Sequence, residues 1–559
     1  MNKNSNYKRG KKPYPPKGKR PQGRERLDDS KKLVKEGVVE SKDSDLLSKH
    51  NNVEWYGGGS VLTDSACKIP YTYPLGTTMI GQYYGGSDNL ISLGYDKDMN
   101  LVSGALPSAA PGFMSFLATV TPGMSESPSS PINVAMRKIY AFIRKNNSGA
   151  ANYEPVDMFM YILSMDEIYT MWSHIMRAFG FLYYYSSMNR YYAQGAYRAM
   201  CVDYDDLAAN AATYRTRFNV ISAKVNSFAV PNVMSIFKRH GWLFQNIYID
   251  TPEDKAQSYI IIPAGYRTFE PYESESGGYM KWNALSGSGL TVRKMSDWLD
   301  ILEDMIDKMT VNEDMNIMSG DIEKAYGSES LVKLGMITET LMFAPLYDEG
   351  FLNQLENAVI TGMPTSNDVT QSIGNLVYNP IFAPTTVTTK TAFDYWTEAR
   401  MLNSHNPSPS SDDTLQATRW TVMGGEYTEG VGWTPASFGS DILCGAFFTY
   451  AAFDPSDSVI KYLSSYIISS LETDDYATIP TIPSRWVNWL RFLLPFSRAP
   501  EFVCSVTFGV GTPGEWPAAT FTKQACRTMV LDNFAFLSSE LNATIHQAAL
   551  IYLFGVQGL

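Results

Sequence analysis

The chain has 559 residues, 46 Lys plus Arg against 57 Asp plus Glu, a formal charge of −11, 44% hydrophobic residues, five Cys and five His. That length accommodates about two to four domains or one large shell-like unit, and a sequence pI near 5.1 excludes a body that coats nucleic acid over its whole surface, because phosphate contact needs clustered cations. The average conceals an asymmetry: residues 1–26 hold ten Lys or Arg and one acid, Glu25, giving +9, while 36 basic and 56 acidic side chains leave −20 on the other 533 residues.

Residues 1–52 read as a disordered arm, first a cationic Pro/Gly segment and then mixed-charge sequence with few aromatics, which buries too little apolar surface to offset the entropy of ordering. A block of ten cations with one acid is read as anion-binding, with a solubilising tail as the plainer alternative. Folded structure is expected from Val53-Glu54-Trp55-Tyr56 onward, and residues 57–130, rich in Gly, Pro, Ser and Thr, read as an extended passage.

Helices then dominate the pattern. Ser130 and Pro131 form an N-cap and N1 pair, followed by Ile132, Met136, Ile139, Tyr140 and Ile143 on one face. Pro155 opens a helix whose residues 158–176 are apolar nearly all round, as befits the centre of a core. Further helices are predicted over 205–223, 231–240, 296–309 and 320–335, the third carrying the stripe Trp298, Leu302, Met305, Met309. The best strand in this half is 257–263. Residues 341–475 read as loops and short strands, a candidate protruding domain inserted between helical parts, and helices return over 459–471, 483–494 and 541–554.

No membrane span is expected. The uncharged window 101–125 contains Pro107, Pro111 and Pro122, and 486–496 is interrupted by Arg491, so neither makes the roughly 20-residue apolar helix a bilayer requires. No secretory signal precedes the first apolar stretch, which leaves the sequons at Asn146 and Asn542 without a secretory context. Cys67, Cys201, Cys444, Cys504 and Cys526 include no C-x-x-C pair and read as reduced thiols of a cytosolic protein.

The signals for catalysis are thin. His50, His174, His240, His405 and His546 are far apart, with no metal spacing among them, so no metal, cofactor or catalytic residue is assigned. Gly509-Val510-Gly511-Thr512-Pro513-Gly514 fits G-x-G-x-x-G, but the following Glu515-Trp516-Pro517 opens no helix to hold a pyrophosphate, and a turn is the simpler reading. Asp203-Tyr204-Asp205-Asp206 has the look of a two-metal polymerase motif, but Asp205 and Asp206 are better explained as acids in a helix's first turn. The excess that stands out is aromatic: 35 Tyr, 27 Phe and 11 Trp, mostly for the core, with the remainder suited to protein interfaces.

Three stretches in order, Ser130-Pro131-Ile132-Asn133-Val134-Ala135, Asn147-Ser148-Gly149 with Ala151-Asn152-Tyr153-Glu154, and Met160-Tyr161-Ile162-Leu163-Ser164-Met165-Asp166, resemble one block of picobirnavirus capsid proteins. Tyr73-Pro74-Leu75-Gly76 and the run from Glu313-Asp314 through Ile317-Met318-Ser319-Gly320-Asp321 to Leu331-Val332-Lys333-Leu334 match as well. The resemblance is dense over residues 53–335 and sparse over 340–480. It implies a mainly α fold with minor β: a helical shell domain, an inserted protruding domain rich in loops and strands, and an arm facing the interior of a small icosahedral particle. It further implies symmetric dimers, a shell of the T=2 type around double-stranded RNA, and in some relatives self-cleavage of the N-terminal segment, for which no nucleophile and base are identifiable here.

The expected organisation is therefore an arm (1–52), a shell domain (53–340), a protruding domain (341–475) and a C-terminal return to the shell (476–559). The expected partners are other copies of the chain and viral RNA, without stable membrane insertion, in a virion assembled in the host cytoplasm. RNA contact is assigned to Lys3, Lys8, Arg9, Lys11, Lys12, Lys17, Lys19, Arg20, Arg24 and Arg26, and is sequence-nonspecific because the arm offers only Tyr7 and Tyr14 for stacking. The alternative is a non-capsid, replication-associated RNA-binding protein with a basic tail.

Overall fold

A computed structural model describes residues 60–68, 78–79, 108–109, 112–149, 152–184, 192–253, 256–272, 277–285, 290–382, 399–428, 431–454, 459–468, 505–508, 519–523 and 533–556. The arm, the helix expected over 483–494 and the glycine motif at 509–514 lie outside these residues. The chain divides into two units, 1–71 and 72–559. The described part of the first is one helix with its following turn, Ser60–Cys67.

A six-stranded sheet divides the second unit. Its strands are β1 (Phe113–Val120), β2 (Tyr248–Ile249), β3 (Ser258–Pro263), β4 (Leu346–Tyr347), β5 (Asp441–Asp454) and β6 (Val459–Ile468), in the order β6-β5-β1-β3-β2-β4. β1 and β3 run parallel, with Phe116 opposite Ile261, and β5 lies antiparallel to β1 on the other side. Every residue of β1 and β3 is buried, which explains why both read as continuous apolar runs rather than alternating ones. Alternation survives in what each face meets. Phe113, Leu117, Ile260 and Ile262 join the large helical core, whereas Met114, Phe116, Tyr259 and Ile261 join a smaller one with Phe351, Leu355 and Trp420.

The helical layer is built on α1 (Pro131–Asn146), α2 (Pro155–Gly180), α3 (Tyr204–Val225), α4 (Ile236–Gln245), α5 (Met295–Thr310), α6 (Glu313–Tyr326) and α7 (Ser539–Leu553). As the all-round apolar pattern predicts, α2 is central: every residue from 158 to 180 is buried. Pro131 stands at N1 of α1 as expected, but the Ser130 hydroxyl does not cap the helix. It accepts instead from the backbone N–H groups of Glu126 (3.2 Å) and Ser127 (3.1 Å), closing the preceding loop.

Helices outweigh strands, in keeping with the mainly α expectation, but the sheet is larger than the sequence announces. Residues 459–471, expected as helix, contain the strand β6, paired with β5 from Ala446 to Asp454. The run Val459-Ile460-Lys461-Tyr462-Leu463 is β-branched and aromatic, and a neighbouring strand decides between two periods that a short apolar run cannot separate. The helix expected from 231 begins only at Ile236, because Asn232 N–H and the Val230 carbonyl pair with Ser330 and Val332. The helix expected over 320–335 starts earlier, capped by Asn312, and stops at Tyr326 before Gly327, whose φ is 83°. The hairpin of Gly265–Pro271 with Gly278–Ala284 was not anticipated. Within 341–475 the short strands appear as expected, along with two short helices, Glu349–Glu356 and Ser411–Ala417, while β4, β5 and β6 of the same segment belong to the central sheet.

Candidate functional site

Helix α2 carries two adjacent acids into the interior, Asp166 and Glu167. Consecutive residues diverge by about 100° on a helix, so each meets a different element. Asp166 faces α4, where its two oxygens lie 2.7 and 2.9 Å from Nδ1 of His240. Glu167 accepts from Arg267 of the hairpin, whose guanidinium also donates to the carbonyls of Val120 and Asn367 and to the Tyr378 hydroxyl. Next to His240, Arg239 donates to Asp441 of β5 at 2.7 Å, and the Trp420 indole N–H donates to the same carboxylate at 3.1 Å. Helix, hairpin and sheet are thus joined by charge pairs inside the protein.

Burial and charge compete at each pair. Burial pulls the His240 imidazole down, but the Asp166 carboxylate more than offsets it and holds the ring above the usual histidine value. Burial pushes Glu167 up to about 7, with Arg267 restraining the rise. At Asp441 burial works upward and Arg239 wins, leaving the carboxyl below its ordinary value. His174, accepting from Arg177 at 2.8 Å, is held neutral by burial and by that guanidinium.

His240 with Asp166 has the form of a general base and its orienting acid. The His240 ring is fully buried, and among the described residues its Nε2 has no hydrogen-bond partner, so none of them stands as a nucleophile where a base would take its proton. Burial likewise pushes the Cys201 and Cys444 thiols up to about 12, leaving them protonated and unreactive. Among the described residues no three His, Cys, Asp or Glu side chains form a metal-binding group, and no helix is long and apolar enough to cross a membrane.

The acidic motif at 203–206 is a pair of caps. Asp203 accepts from the Asp206 N–H at 3.0 Å at the start of α3, and Asp206 accepts from the Met295 N–H at 3.1 Å at the start of α5 and from the Tyr214 hydroxyl at 3.2 Å. Most aromatics fill the core, as expected, with Trp420, Trp433, Tyr161 and Tyr197 among the largest fully buried side chains. Some do not. Phe534 and Phe536 are 55% and 74% exposed on a strand paired with Ala399–Ser404, and Phe142 is 42% exposed on α1. The arm cations Lys3 to Arg26 lie outside the described residues, so no geometry brings them together with these faces.

A protein body closed around internal charge pairs, with apolar groups left on its surface, is suited to association. A family model described as picobirnavirus capsid protein matches residues 55–423, well over half of the chain. The chain belongs to the picobirnavirus capsid protein family. A curated relative, the capsid protein precursor of Human picobirnavirus (strain Human/Thailand/Hy005102/-), is 27% identical over 536 residues, spanning 91% of each protein. The solved X-ray structure of the picobirnavirus capsid shares the fold of this capsid protein with a TM-score of 0.72, at 22% identity, over 91% of this chain and all of that one. Its work is accordingly that of a virion component that associates with itself.

Proposed function

We propose that copies of this capsid protein pair as symmetric dimers and close into an icosahedral shell of the T=2 type around double-stranded RNA. The observation that carries this reading is the fold shared along 91% of the chain with a picobirnavirus capsid. Residues 53–340 and 476–559 form the shell domain, and 341–475 supply the protruding domain, anchored where β4, β5 and β6 enter the central sheet. Assembly takes place in the host cytoplasm and the product is the virion.

The arm, 1–52, meets RNA through Lys3, Lys8, Arg9, Lys11, Lys12, Lys17, Lys19, Arg20, Arg24 and Arg26. A body of −20 repels phosphate and confines the contact to the arm. Capsid family membership speaks against the replication-associated alternative. No cofactor, catalytic residue or stable membrane insertion enters this account, and the chain is not an enzyme in it. The relative's description as a precursor raises the question of arm removal, which the mass of the protein in purified particles answers directly. Sedimentation of the expressed full chain tests the assembly reading: a fast, uniform species is expected, and a small oligomer at every salt and pH would overturn it.

A further inference from the structure

Helix α1 has no acidic residue and four cations, in a body whose net charge is −20. Two of the four are engaged. Arg144 pairs with Asp321 at 3.1 Å, and Arg137 donates to the Pro128 carbonyl and to Asn375. Lys138 and Lys145 are exposed and have no ion-pair partner among the described residues. Between them stands Phe142, 42% exposed, its ring resting on Tyr326 at 4.9 Å. The three positions follow an i, i+4, i+7 spacing and so share one face over about 10 Å.

Helix α5 presents the same spacing with the opposite charge: Asp297, Ile301 and Asp304. Asp297 and Asp304 are exposed and Ile301 is half-buried. The other acids of this helix are occupied, since Glu303 and Asp307 turn to Arg217 and Lys224 of α3 and Asp300 pairs with Arg217 at 2.6 Å. Among the described residues the Asp297 carboxylate is hydrogen-bonded to the Ser296 hydroxyl, and Asp304 forms an exposed i, i+4 ion pair with Lys308 at 3.5 Å, a cation that Glu270 also holds.

We propose that the α1 face of Lys138, Phe142 and Lys145 docks on the α5 face of Asp297, Ile301 and Asp304 in a second copy of this chain. The inference rests on the self-assembly reading and locates one contact of it. Equal spacing lets both charge pairs form at once, and in parallel register Phe142 covers Ile301. Because the two faces differ, the contact is heterologous, and each copy can offer its second face to a further copy rather than ending in a pair. Copies of an acidic body repel one another, and a cationic face aimed at matched acids relieves that repulsion where they meet.

The test is shell yield from the full chain, measured by sedimentation and electron microscopy, with a melting curve to show that each variant is folded. Lys138→Glu with Lys145→Glu should lower the yield at least about tenfold at about 0.1 M salt, because each reversed pair places like charges in contact. The milder Lys138→Gln with Lys145→Gln should fall between this and the natural chain. Adding Asp297→Lys and Asp304→Lys to the first variant should restore shells. Normal yield from the first variant overturns the proposal, and normal yield with reduced RNA assigns the α1 face to RNA instead. Failure of the four-site variant to recover overturns the pairing with α5. A natural chain that never forms shells fails the assembly reading itself and takes this contact with it.

Discussion

Nδ1 of His240 lies 2.7 Å from a carboxylate oxygen of Asp166, and both side chains are buried. The pair fastens α4 to the central helix, while the preceding residue, Arg239, fastens α4 to β5 through Asp441. Adjacent residues of α4 thus tie it to the central helix on one side and to the sheet on the other.

Removing one member strands the other without water. Asp166→Ala should destabilise the body by about 3 to 5 kcal/mol, the cost typical of breaking a buried pair from one side. Chemical unfolding of the purified protein measures it. A change under about 1 kcal/mol would mean that the pair contributes little beyond its geometry.

The pH dependence has a definite sign. Glu167, raised from 4.5 to about 7, and His240, also raised, bind protons more tightly when folded. Their stabilisation is complete below the unfolded values and is lost as pH rises through the folded ones, for Glu167 between about 4.5 and 7. His546, pushed down to about 4 by burial, acts in the opposite direction: its contribution is present above its unfolded value of 6.5 and fades as pH falls through about 4. Glu167→Gln should therefore flatten the loss of stability between about pH 4.5 and 7 by on the order of 3 kcal/mol. Unfolding midpoints across that range give the slope, and an unchanged slope would remove Glu167 from the account.

The smaller core depends on a stack. Phe351 lies flat on Tyr248 with ring centroids 3.5 Å apart and meets Trp420 edge-on at 5.6 Å. Phe351→Ala should cost about 3 to 5 kcal/mol through lost burial and the cavity left behind. Thermal unfolding would show it as a lowered midpoint, and soluble yield should fall with it.

The arm predicts a separation of properties. Deleting residues 1–26 should leave particles intact and reduce the RNA they contain, and RNA binding by the full chain should weaken steeply with salt as counterions return to the phosphates. The ratio of nucleic acid to protein absorbance in purified particles reads the first effect. Equal ratios with and without the arm would assign RNA contact elsewhere.

Much of the helical layer was legible because its signals are local. The apolar run 158–176 identified a central helix, the stripe Trp298, Leu302, Met305, Met309 identified α5, and Asp205 and Asp206 marked the first turn of α3. The charge pairs were not legible, since Asp166 and His240 are 74 residues apart and Glu167 and Arg267 are 100 apart, and sequence spacing says nothing about such partners. β6 was misread because its period is settled by β5, a neighbour in space. The α1 face left a signal that local reading passed over: Lys138 and Lys145 stand off the apolar stripe of Ile132, Met136, Ile139 and Ile143 with no acid among them.

Cryo-electron microscopy of the purified 559-residue chain shows directly whether it builds a closed shell from dimers. The account predicts uniform icosahedral particles with two copies of the chain in each asymmetric unit of the shell. Monomers or isolated dimers under all conditions, or open filaments in place of closed particles, would contradict it.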